Sequence, residues 1–191
     1  DPNDRDGDGI YGHPNIVRDQ ATGEDVLGRF GWKAGQPSLA QQNADAFLND
    51  MGLTTSLLRV HPCTDAQTAC GQAPHGGDPE VSDNIFNQVL FYTRNLAVPM
   101  RRDVDAPQVL AGKRLFHEAG CAACHSPRFV TRADAAEPEL ANQTIRPYTD
   151  LLLHDMGEGL ADGRPDFLAG GRDWRTPPLW GIGLIPEVNG Q

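Results

Sequence analysis

The stretch G-K-R-L-F-H-E-A-G-C-A-A-C-H, residues 112–125, decides how this chain is read. Cys121, Cys124 and His125 form C-x-x-C-H, the attachment signature of a c-type haem. The spacing has a chemical reason. Two thiols add across two vinyl groups of one porphyrin, one short turn of chain reaches both, and the adjacent imidazole is left to ligate the iron. The segment before it predicts a helix over about 107–118, with Pro107 in the first turn and Leu110, Leu115 and Phe116 as its apolar residues. Gly120 closes that helix just before the motif. Two other chemistries use the same thiols. A bare C-x-x-C serves as a redox dithiol, although such motifs follow a strand in a βαβ unit, a pattern not found here. Joined with Cys63 and Cys70 it would give a four-thiolate zinc site, although C-x6-C is long for a zinc knuckle.

Working outward, two more helices are predicted. One runs over about 38–51, with Ser38 as N-cap, Leu39, Asn43, Phe47 and Met51 as its stripe and Gly52 past its end. The other runs over about 83–97, capped by Ser82, with Ile85, Val89, Tyr92 and Leu96 as an amphipathic stripe and Pro99 as its stop. Residues 54–80 read as an irregular loop. The segments 145–157 and 174–184 are dense, and Pro177–Pro178 makes the second extended. No strand pair and no internal repeat is evident. The expected fold is therefore mainly α and loop-rich, with few or no strands. It divides into an N-terminal loop and helical segment over 1–100 and a cytochrome c-like haem domain over 101–191.

Composition bounds the function. The 191 residues carry 16 Lys and Arg against 26 Asp and Glu, a formal charge of −10, so partners such as nucleic acid or anionic lipid are disfavoured. No apolar run is long enough to span a membrane. Gly 21 and Pro 15 fit a loop-rich chain rather than a disordered one. The chain begins at Asp1 without a Met or a signal peptide, and is expected to be an internal piece of a longer protein.

Several further groups are candidates. Asp4, Asp6 and Asp8 alternate ahead of Gly9 and Ile10, which matches the opening of a calcium loop with Ile10 offering its carbonyl. The acid expected at the twelfth position is Asn15, so a solvated acidic loop is the competing reading. Cys63 and Cys70 are expected to form a disulfide that staples a segment with little core, which implies an oxidising compartment. Met156 and His154 are candidates for the second axial position on the iron, with packing in a turn as the alternative. Arg146 and Arg175 are candidates to pair with haem propionates, and Trp174 and Trp180 to pack on the macrocycle. Glu158 is the carboxylate nominated for acid–base work. His117 could meet the porphyrin edge or lie at the surface, and His13, His61 and His75 read as surface residues.

The motifs together resemble a family. R-F-G-W-K-A (29–34), A-F-L-N-D-M-G-L-T (46–54), C-T-x-x-Q-x-x-C (63–70), L-F-H-E-A-G-C-A-A-C-H (115–125), P-Y-T-D-L-L-L-H-D-M-G (147–157) and W-R-T-P-P-L-W-G-I-G-L (174–184) look like bacterial di-haem oxidoreductases. These are also described as peroxidases or thiol oxidoreductases, and are related to the di-haem cytochrome c peroxidases. Members carry two C-x-x-C-H motifs, and this chain has one. The resemblance therefore implies a second haem domain, shortened at its C-terminus and separated from the first. It implies a periplasmic redox protein that takes electrons from a partner protein or small donor and reduces hydrogen peroxide or a similar oxidant. The piece alone is expected to turn over poorly. A pure electron carrier and a thiol–disulfide enzyme using Cys121 and Cys124 are the alternatives.

Overall fold

The structure, a computed structural model, describes residues 3–5, 7 and 9–190. The chain folds as two compact units, both discontinuous in sequence: one is Asn15–Leu96 with Pro165–Leu168, the other Asp1–Pro14 with Ala97–Arg164 and Ala169–Gln191. The single boundary expected from the sequence lies between 100 and 101.

The first unit opens on a hairpin, β1 (Ile16–Arg18) against β2 (Asp25–Leu27), with Val17 opposite Val26. Helix α1 (Leu39–Asn49) follows, and the Ser38 side chain accepts from the Gln41 N–H, the cap that the sequence predicts. A short helix, α2 (Thr68–Gly71), carries Cys70, which is disulfide-bonded to Cys63. Helix α3 (Asp83–Arg94) is capped by Ser82. Its Phe86 and Leu90 are buried with Ala44 of α1 and with Val81, and Phe47 packs against this cluster. Asn43 Nδ2 donates to Thr93 Oγ1 at 2.9 Å, so the polar member of the expected α1 stripe is paired. The stripe read on α3 lies one residue away from the face that is buried. Ile85, Tyr92 and Leu96 are exposed, because the bulkier Phe86 takes the core position.

Glu80 fastens the disulfide-bearing loop of this unit. Its carboxylate accepts from the Thr54 N–H and hydroxyl and from the Gly76 N–H, and His61 lies 3.3 Å away. Backbone donation from Thr54, then Gly76, holds its pKa at about 2. Asn15 is buried and spans two loops: Nδ2 donates to the Lys33 and Asp166 carbonyls, and Oδ1 accepts from the Leu168 N–H.

The second unit contains helix α4 (Pro107–Glu118), which matches the predicted span and has Pro107 at its start. Two more hairpin-like pairs follow: β3 (Phe129–Val130) with β4 (Thr144–Ile145), and β5 (Leu153–Asp155) with β6 (Asp173–Arg175). A last short helix, α5, covers Ile185–Asn189.

The expectation of a mainly α, cytochrome c-like fold with few or no strands is corrected here. Among the described residues there are three two-stranded antiparallel sheets and five α-helices, two of which are no longer than five residues. Strands of two or three residues are too short to show period-two alternation in sequence. The β5–β6 partners are also some twenty residues apart, with Leu153 opposite Arg175. Among the described residues, no helix is long and apolar enough to cross a membrane.

Candidate functional site: the C-A-A-C-H turn and its imidazole

Helix α4 ends where Gly120 adopts a left-handed backbone, φ 76°, and its N–H closes onto the His117 carbonyl. That conformation costs a glycine little. Cys121–Ala123 then form a single 3-10 turn, and the His125 N–H donates to the Cys121 carbonyl at 3.0 Å. One turn thus brings both cysteines and the histidine together. Neither cysteine is disulfide-bonded, and Cys121 is exposed while Cys124 is partly buried.

The His125 ring is oriented by backbone. Its Nδ1 lies 2.7 Å from the Tyr148 carbonyl oxygen. A carbonyl can only accept, so Nδ1 carries a proton, and in the neutral ring the Nε2 lone pair is then the one that can bind a metal. The Phe116 ring packs edge-on to Tyr148 at 5.5 Å and lies 6.3 Å from the His125 ring. Tyr148 has a left-handed φ of 55°, which costs a non-glycine residue roughly 1–2 kcal/mol. Its neighbours hold it there. Thr149 is fully buried, its N–H donates to the Ser126 carbonyl and its hydroxyl to the Thr176 carbonyl, while the Pro147 carbonyl accepts from the Leu179 N–H. The two motif-dense segments thus clamp the strained residue whose carbonyl sets the imidazole.

A second histidine stands beside the turn, next to Cys124. His154, on β5, is buried; its Nε2 lies 2.8 Å from Asp150 Oδ2, and its Nδ1 lies 4.0 Å from Cys124 Sγ. Burial acts to raise the Asp150 pKa, but hydrogen bonds from His154, Leu152 and Thr176 outweigh it and the net shift is downward. Gly12 is required beside this ring, because a Cβ there would come within 2.8 Å of His154 Cε1. His154 is therefore a packed, carboxylate-paired group. Met156, two residues on, has an exposed side chain, and its N–H donates to the Arg172 carbonyl.

The residues fit a porphyrin. Two cysteines outside any disulfide and one imidazole are set by one turn, and α4 buries none of its residues, with Val109, Leu110 and Leu115 exposed on it. A cavity of about 460 Å³ lies along α4, lined by Leu110, Phe116, Tyr148 and Leu179 among others. A neighbouring cavity of about 410 Å³ is lined by Arg146, Trp180 and Leu184, and shares Arg101, Val109, Tyr148 and Leu179 with the first.

The remaining candidates are placed as follows. Arg146 and Trp180 are at the second cavity. Arg175 is partly buried, and burial pushes its guanidinium pKa down; Trp174 Nε1 donates to the Leu160 carbonyl. Glu158 is exposed and lies 3.1 Å from Arg172, which also pairs with Asp155. His117 is exposed, and His13 lies 3.5 Å from Asp173. Asp4 Oδ1 accepts from the Gly9 N–H at 3.1 Å, while Asp6 and Asp8 lie outside the described residues. Among the described residues, no group of three or more His, Cys, Asp and Glu is arranged to hold a metal ion. Sequence reading missed the roles of Tyr148 and Asp150. The first acts through its backbone and leaves no side-chain signal. The second was legible only as an acid four residues before His154.

No curated protein and no solved structure matches the chain. One family does, described as "Di-haem oxidoreductase, putative peroxidase", and the match runs over residues 1–191. With its C-A-A-C-H turn and oriented imidazole, this chain belongs to the di-haem oxidoreductase family.

Proposed function

We propose that this chain forms a c-type haem site of a peroxidase-like redox protein working in the periplasm. The observation that carries the reading is His125 Nδ1 committed to the Tyr148 carbonyl at 2.7 Å, which leaves Nε2 available in the turn that also carries two cysteines outside any disulfide. When bound, the haem supplies one-electron exchange at its iron. Cys121 and Cys124 would hold it through thioethers and His125 through Nε2. Tyr148 fixes the tautomer and the ring plane, and α4 with Phe116 supplies an apolar wall that excludes water. Met156 would be the candidate second ligand to the iron and Glu158 the candidate proton carrier for peroxide. The partners of this reading are a redox protein or small electron donor and hydrogen peroxide or a similar oxidant. The Cys63–Cys70 disulfide supports an oxidising compartment, where haem c is also attached. A calcium ion at Asp4, Asp6, Asp8 and the Ile10 carbonyl is part of the proposal. Its test is a calcium-dependent melting shift that is lost in Asp4→Ala.

A second reading rests on Cys124 Sγ standing 4.0 Å from an Asp150-paired His154, an arrangement that suits thiol chemistry. One experiment separates the two. The chain is produced in a host competent for haem c attachment, then denatured. The haem reading expects a chromophore that stays with the polypeptide, a mass gain of one haem, and loss of both in Cys121→Ser/Cys124→Ser. A colourless, unmodified chain that reduces disulfides would replace it with the dithiol reading.

A further inference from the structure

The second cavity carries charge that the rest of the chain makes unexpected. The protein has a formal charge of −10, yet Arg101, Arg102, Lys113 and Arg146 line the joined cavities against only Asp103 and Asp105. Arg102 leans toward Glu187 at 3.8 Å. Arg101 and Arg146 have no hydrogen-bond or ion-pair partner among the described residues. Guanidinium groups seek bidentate carboxylate partners. Here two of them stand unpaired at an apolar wall made by Leu179, Trp180 and Ile182. An apolar wall lined also by two guanidinium groups suits a flat apolar ligand bearing two carboxylates.

The trough also has a direction. One end reaches Phe116, whose ring packs against those of His125 and Tyr148. The other end holds Arg146 and Trp180. Arg101, Val109, Tyr148 and Leu179 belong to both cavities, so the trough is continuous between them. On a haem, the two propionates lie on one edge, away from the vinyl groups that cysteines capture. A porphyrin held by Cys121 and Cys124 would send its carboxylates away from the cysteine turn.

We propose that Arg101 and Arg146 form the propionate clamp of this site, one guanidinium for each carboxylate. This rests on the haem reading above, and binding rather than turnover tests it. The haem-free chain, produced without haem c maturation, is titrated with haemin and with haemin dimethyl ester, following the Soret band. The ester keeps the ring, the vinyl groups and the iron but carries no propionate charge. The unaltered chain is expected to bind haemin about tenfold or more tighter than the ester. Arg101→Gln and Arg146→Gln should each narrow that ratio, and the double variant should bring it close to one while leaving the ester affinity unchanged. The unchanged ester affinity reports that the variants are folded. Arg59→Gln, in the other unit, should leave the ratio as it was. A ratio near one in the unaltered chain, or one unmoved by the double substitution, overturns the clamp and leaves the haem reading standing. Failure to bind either porphyrin sinks the haem reading itself, and the clamp with it.

Discussion

Helices α3 and α4 have the same length, twelve residues, and both are amphipathic, but they spend their apolar faces differently. Helix α3 buries Phe86 and Leu90 against Ala44 and Val81, a core closed within its own unit. Helix α4 buries nothing. Among the described residues of its unit, only Leu153 and Ala169 are fully buried apolar side chains. An amphipathic pattern therefore shows that a face seeks cover, but not whether protein or a cofactor supplies it. The first unit is built to stand on its own packing and its disulfide. The second is built around backbone hydrogen bonds and a turn that presents reactive groups.

The largest effect should come from breaking the closed core. Phe86→Ala is expected to destabilise the first unit by about 3–5 kcal/mol, because the cavity is lined by partners that cannot all collapse into it. Amide exchange should quicken in α1 and α3 and stay unchanged in α4. If α4 loosens equally, the two regions are not independent and the comparison fails.

Reducing the Cys63–Cys70 bond should cost about 2 kcal/mol, since it closes a short loop. Urea unfolding with and without reductant measures this in Cys121→Ser/Cys124→Ser, where no other thiol interferes. An unchanged midpoint would mean that Glu80 alone fastens the loop.

Glu80 should sharpen the same point through pH. Its folded pKa of about 2 lies below the ordinary 4.5, so the stability it gives is complete above the ordinary value. That stability is lost as pH falls through the interval between the two. Glu80→Gln should therefore lower the unfolding midpoint at neutral pH and flatten its acid limb. Equal acid sensitivity in both proteins would assign the limb to other carboxylates.

The smallest effect is expected on α4. Leu110 is 50 % exposed, and Leu110→Ala in the haem-free chain should change stability by no more than about 0.5 kcal/mol. The same substitution should destabilise the haem-bearing chain clearly more, read as the shift in its thermal midpoint. Equal effects in the two forms would mean that the porphyrin does not lie on this face.

How much could be read in advance follows from what each residue does. The caps at Ser38 and Ser82, the Pro107 start of α4 and the Cys63–Cys70 bond act over a few residues, and local sequence carries them. The three small sheets were not legible. Their strands are short, and two of the pairings join segments at least a dozen residues apart. The choice of Phe86 over Ile85 as the buried residue was equally hidden, since neighbouring apolar positions on a helix differ only in what faces them.

The sequence by itself determined the chemistry available: two thiols and an imidazole at haem-attachment spacing, the family they belong to, and a second cysteine pair close enough along the chain to bond. Tertiary structure alone decided how those groups are presented. It placed the Tyr148 carbonyl on His125, set Asp150 and Gly12 around His154, and gathered Arg101 and Arg146 at one trough. Spacing along the chain fixes which atoms one short turn can bring together. A backbone carbonyl, a close approach of glycine to a ring and a pair of distant arginines depend on where separate segments meet, and only the folded chain settles that.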